Sequence, residues 1–170
     1  ELPIGGGATR AFRPECRGEQ KIVMTELERL VATDEIRRVK ACYFRAVDSG
    51  DAELLRGLLA EDCVLDYRGS CTDPATGRDY LPGANMVVNG RASLPDGGLA
   101  SMGIVSVHQG HHCEIELTGD TTAQAIWSMT DRLYMPDGAP FSLMTGYGHY
   151  HETYEKTGAT WKIKTLRLTR

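Results

Sequence analysis

The chain ends in the run Trp161-Lys162-Ile163-Lys164-Thr165-Leu166-Arg167-Leu168, where apolar and polar side chains alternate. A period of two marks a strand with one face buried and the other wet. Residues 113–118, 122–134 and 142–154 read the same way, with Gly119-Asp120 and Pro136-Asp137-Gly138 as turns between them. Successive strands joined by short turns predict an antiparallel meander. Its apolar face needs a cover.

The cover comes from the N-terminal part of the chain. Thr33-Asp34-Glu35 predicts a helix N-cap and first-turn acids, and Ile36, Val39, Tyr43 and Val47 follow as one helical stripe. Gly50 ends that helix and Asp51 caps a second, whose apolar side is Leu54, Leu55, Leu58 and Leu59. A short strand is expected over 64–67. The stretch 68–98 is rich in Pro, Gly and Asn-Gly turn signals, with a brief helix expected over 84–88. So long an irregular stretch suits a lid over an opening. The expected fold is α+β: a cone-shaped, curved antiparallel or mixed sheet wrapped around N-terminal helices and enclosing a pocket. Residues 1–24, with Gly5-Gly6-Gly7 and no usable periodicity, are expected to be a flexible arm, and 25–170 a single domain.

Charge and composition exclude some partners. The net charge is −4 and no basic tract exceeds Arg37-Arg38, so no nucleic-acid partner is expected. No apolar stretch approaches the roughly 20 residues of a membrane span. The five cysteines have no CxxC or CxxH spacing and demand no oxidising compartment, so the expected location is the cytoplasm.

Three of the five histidines, His108, His111 and His112, fall in one run, and His149 and His151 lie in a later β-like block. The cluster raises the question of zinc. Yet there is no HExxH helix and no compact Cys/His set, and neighbouring residues of a strand point apart. No metal and no cofactor are expected. His149 and His151 share one strand face, opposite Tyr150, Glu152 and Tyr154. In 122–134 the apolar side carries Trp127, Met129 and, out of place, Asp131. A buried carboxylate needs partners, unless it lies at the strand end or a bulge shifts the alternation. Tyr43 either aims its hydroxyl at a ligand or is a core tyrosine. Asp66 faces either a cavity or the sheet rim.

The segments Ala41–Asp51 and Val107–Ile115, with Gly148-His-Tyr-His-Glu-Thr-Tyr154 and Trp161-Lys-Ile, resemble the SnoaL-like branch of the nuclear transport factor 2-like superfamily. The pattern is nearest to scytalone dehydratase and lindane dehydrochlorinase. The resemblance implies a pocket Asp at the end of the first long helix, matched by Asp48, and a pocket His after the irregular segment, matched by His108. His108 would be the proton-abstracting base, held by Asp48. Two family features are missing: the second His of scytalone dehydratase, in the strand matching 122–134, and an Arg near Glu155 and Lys156, where Lys156 keeps only the charge. The resemblance implies a cofactor-independent, dehydratase-like lyase, in which Tyr43, from its place on the helical stripe, is the further catalytic candidate. Asp66, Trp127, Met129, Asp131 and Tyr150 would be its substrate contacts. The substrate would be a small hydrophobic, aromatic or polycyclic molecule, and the assembly a homo-dimer or trimer. An isomerase, a non-catalytic small-molecule binding protein and an oligomerisation domain are the alternatives.

Overall fold

The computed structural model describes residues 23–73 and 75–170, so the arm expected over 1–24 falls almost wholly outside it. Helix α1 (Glu26–Ser49) opens on a capping box. The Thr25 hydroxyl accepts from the Glu28 amide, and the Glu28 carboxylate accepts from the Thr25 amide. The helix therefore starts well before the expected cap at Thr33, whose hydroxyl instead donates to the carbonyls of Arg29 and Leu30. Leu27, Leu30 and Val31 in the added turns are exposed, so no buried stripe announces those turns. Gly50 ends α1 in the left-handed region (φ 66°), a conformation that suits a residue without Cβ. Asp51 then caps α2 (Ala52–Leu58), its carboxylate 2.9 Å from the Leu54 amide. Leu59 does not belong to α2; it opens a strand.

The strands are β1 (Leu59–Asp66), β2 (Val87–Asn89), β3 (Val105–Leu117), β4 (Thr122–Tyr134), β5 (Leu143–Thr157) and β6 (Thr160–Thr169). They form one mixed sheet in the order β2-β1-β6-β5-β4-β3, antiparallel throughout except for the parallel β1–β6 pair. Where a brief helix was expected over 84–88, a 3-10 turn at Pro82–Ala84 leads into β2. The expected cone is not formed. The sheet is open, with β2 and β3 as its edges, and it is neither closed nor strongly curled. Alternation specifies which face is buried, whereas curvature depends on twist and bulges that alternation does not encode.

Two bulges shift the alternation itself. In β3, Gly110 pairs with Met129 and Cys113 with Trp127, so His111 and His112 together oppose Ser128. In β6, Thr165 pairs with Thr153 and Ile163 with Tyr154, leaving Lys164 extra. Trp161 and Ile163 are buried before that point, and Leu166 and Leu168 after it. The final run thus slips phase once instead of alternating strictly.

Ala32, Ile36, Tyr43 and Phe44 of α1 join one core with Trp127 and Met129 of β4, Tyr150 and Tyr154 of β5, and Leu166 and Leu168 of β6. Burial of one such large apolar side chain stabilises the fold by about 1.5–3 kcal/mol. A smaller cluster of Leu81, Ile104 and Leu133 fastens the irregular segment to β4. Among the described residues, no helix is long and apolar enough to cross a membrane.

Candidate active site

The site forms where one face of α1 meets one face of β3. Phe44 and Asp48 are four residues apart and therefore share a helix face. Ser106, His108 and Gly110 alternate along β3 and share a strand face. Gly110 permits close approach, since a Cβ there would stand 2.6 Å from Phe44 Cε2. Phe44 lies nearly parallel to the His108 ring (centroids 6.1 Å apart, 12° between planes), and Asp48 reaches the same imidazole one turn later.

Asp48 is the acceptor of three contacts. Its Oδ1 lies 2.6 Å from His108 Nδ1 and 2.8 Å from the Ser106 hydroxyl, and its Oδ2 takes the His108 amide at 2.8 Å. Partial burial pushes the Asp48 carboxyl up, but the His108 and Ser106 bonds outweigh it and hold the group below its ordinary value. An ionised Asp48 favours the His108 tautomer with the proton on Nδ1, leaving Nε2 as the acceptor.

His108 forms part of the wall of a cavity with about 890 Å³ of empty space, part of it continuous with solvent. Tyr43, Tyr67, Tyr150, Asp131 and Arg170 contribute the main polar groups. Leu81, Met86, Leu94, Leu99, Met102 and their neighbours make the rest mostly apolar. Many of these come from the irregular segment, which covers the cavity as a lid would. Tyr43 and Tyr67 hydroxyls are 2.8 Å apart, and burial drives both pKa values up, so both remain protonated donors. Asp131 Oδ2 lies 3.8 Å from His108 Nε2 and is held by Arg170 Nη2 at 2.5 Å.

Of the residues picked from sequence, Asp48 and His108 come together, and Tyr43, Asp131 and Tyr150 join His108 at the cavity. Asp48 itself sits behind the imidazole, on an outer groove with Arg37 and Arg45. Three expected substrate contacts do not reach the cavity wall. Asp66 shares a face with the exposed Val64 and pairs with Arg68 and Arg167. Trp127 faces inward, but its Nε1–H donates to the Tyr154 hydroxyl at 3.1 Å. Met129 is buried in the core cluster. Asp131 owes its place to plain alternation, because β4 pairs with β5 without a slip.

His111 and His112 are exposed on the bulge, with His111 Nε2 3.0 Å from the Thr130 hydroxyl. His149 and His151 lie on the exposed face of β5, opposite Tyr150. Among the described residues, no three His, Cys, Asp or Glu side chains gather as a metal-holding group. Lys156 pairs with Glu35 at 3.8 Å and does not line the cavity.

Sequence reasoning missed Tyr67, Ser106, Phe44 and Arg170. Gly146 and Gly148, inside a strand pattern, were the available signal for Arg170, since strand glycines mark close approach. It also missed a sealed ion pair beside the site. Lys40 Nζ lies 2.5 Å from Glu152 Oε1, with side chains 1% and 0% exposed, and 3.5 Å from the Tyr150 ring centroid. Burial lowers the Lys40 pKa to about 8, although Glu152 pulls the other way.

A family model for the SnoaL-like domain matches residues 28–167. Several solved structures share the fold. A candidate scytalone dehydratase from Novosphingobium aromaticivorans is 22% identical, with a TM-score of 0.65, over 86% of this chain and 89% of that one. A Mycobacterium tuberculosis protein described as of unknown function is 18% identical, with a TM-score of 0.64, over 82% and 76%. A hexachlorocyclohexane dehydrochlorinase from Novosphingobium barchaimii is 15% identical, with a TM-score of 0.62, over 86% and 92%. At these identities the likeness is one of fold.

Proposed function

The chain belongs to the SnoaL-like domain family, and from that premise we propose that it is a cofactor-independent lyase of the dehydratase type. Its substrate is a small, largely apolar carbonyl compound with a hydroxyl on the carbon next to an acidic C–H. The observation that carries this reading is the environment of His108. Nδ1 is 2.6 Å from Asp48, while Nε2 points to the side of an apolar cavity that Asp131 and Arg170 also line.

In this reading Nε2 takes the proton from the carbon beside the carbonyl. The C–H electron pair becomes the new C=C bond as the C–O bond on the next carbon breaks. The proton then passes from the imidazolium to the departing oxygen, so the products are an unsaturated carbonyl compound and water, and His108 is neutral again. Asp48 stabilises the imidazolium between the two transfers. The Tyr43–Tyr67 pair has two hydroxyl hydrogens and uses one internally, which leaves one for the substrate carbonyl oxygen, where negative charge develops. The apolar walls exclude water and strengthen both effects.

The test is a panel of small β-hydroxy ketones followed by mass spectrometry for loss of water. Wild type is expected to turn over at least one member, and His108→Ala to do so at least about 10²-fold more slowly with ligand affinity retained. Equal rates in the two proteins would reject His108 as the base. Binding without turnover, and without exchange of the substrate C–H for solvent deuterium, would favour a non-catalytic binding protein.

A further inference from the structure

Asp131 and His108 are direct partners across the β3–β4 pair, and both side chains turn inward. Arg170, the residue after β6, must cross β5 to reach Asp131, because the strand order is β6-β5-β4. It does so over two glycines. A Cβ on Gly146 would collide with the Arg170 guanidinium, and one on Gly148 with the Thr169 carbonyl and, at 3.1 Å, Arg170 Cγ. The guanidinium then meets both carboxylate oxygens, with Nη2 2.5 Å from Oδ2 and Nη1 3.3 Å from Oδ1. The two side chains are 17% and 1% exposed. Such a fork uses the acceptor capacity of the carboxylate and offsets its charge.

We propose that Arg170 and Asp131 are a positioning pair for His108: Arg170 holds the Asp131 carboxylate off Nε2, so that nitrogen stays free to accept a proton. The distance from Asp131 Oδ2 to Nε2 is 3.8 Å, just beyond hydrogen-bond reach, while Asp48 already occupies Nδ1. A released Asp131 would close on Nε2. An imidazole between two carboxylates keeps its proton and stops being a base.

The surrounding groups leave this balance to the pair. Asp48 and Tyr43 approach from α1, Tyr150 from β5, and Tyr67 and Cys71 from the end of β1 and the segment after it. Burial keeps the tyrosine hydroxyls and the Cys71 thiol in their neutral forms. Lys40 and Arg45 border the groove on the Asp48 side, with Lys40 committed to Glu152. Asp51 also lines the cavity, but its carboxylate is committed to the Leu54 amide as the cap of α2, so among the described residues Asp131, with Arg170 on it, is the carboxylate within 4 Å of Nε2.

The proposal depends on the lyase reading only for its kinetic consequence. The primary measurement is therefore the titration of His108 by 1H–15N NMR in ligand-free protein, where absent turnover would count against the lyase reading alone. Arg170→Met should raise the His108 midpoint by about one pH unit or more. Asp131→Asn, which leaves the cation unpaired, should lower it, and the double variant should return it close to wild type. Should Arg170→Met fail to fold, Asp131→Asn must still titrate below the double variant. An unmoved midpoint in folded Arg170→Met, or equal midpoints in Asp131→Asn and the double variant, overturns the proposal. With a substrate in hand, the acid limb of kcat/KM in Arg170→Met should move to higher pH by the same amount as the NMR midpoint.

Discussion

Glu152 and Asp131 stand on neighbouring strands, point to the same side of the sheet, and are each buried against a cation, yet they belong to different kinds of cluster. Around Glu152 every polar atom is taken. Lys40 holds one oxygen, the Tyr154 hydroxyl donates to the other, Trp127 donates to Tyr154, and three aromatic rings enclose the ammonium. Around Asp131 the arrangement is one contact short. Arg170 takes the carboxylate, Asp48 takes one nitrogen of His108, and Nε2 is left over beside a cavity. A saturated buried cluster can only hold the fold in register, whereas one with a single uncommitted atom can do chemistry.

The largest expected effect comes from breaking the sealed cluster. Lys40→Met leaves Glu152 charged and buried without its partner, which should cost about 3–5 kcal/mol, read as a lower urea midpoint at unchanged m-value. Asp48→Asn strikes the open cluster instead. Turnover should fall on the order of 10²-fold in kcat/KM through loss of the charge that supports the imidazolium. Lys40→Met combined with Glu152→Gln removes both charges and keeps an acceptor for Tyr154, so it should recover most of the stability lost in Lys40→Met. If the double variant is no better than the single one, packing rather than charge holds that cluster. A smaller effect is expected in acid. The folded Asp48 carboxyl titrates below its unfolded value, so its stabilisation is complete above about pH 4 and is lost as pH falls through the depressed folded pKa. The drop in urea midpoint over that window should be shallower in Asp48→Asn. Asp66→Asn, on the outer face, should leave kcat/KM unchanged.

Much of this contrast was legible in the chain. The α1 stripe through Tyr43 and Val47, the Gly50-Asp51 junction and the sharing of one strand face by His149 and His151, opposite Tyr150, all follow from period and turn chemistry. Asp131 could be placed on the inner face by counting in twos along β4. The Asp48–His108 contact spans 60 residues, and only the family resemblance brought the two together. Other features left no periodic trace. The exposed first turns of α1 lack a stripe, and Leu58-Leu59 reads equally as helix or strand because short apolar runs carry no period. The openness of the sheet is a property of its twist. Arg170 was invisible because its partner lies two strands away, although the glycines it crosses were in plain view.

The extra residue at His111-His112 divides β3 into two reading frames. Before it the even-numbered residues Ser106, His108 and Gly110 face the helix, and after it the odd-numbered Cys113, Ile115 and Leu117 do. Deleting either histidine would merge the frames with both halves still facing the helix, so what the extra residue supplies is a local bend and added twist rather than the orientation of either half.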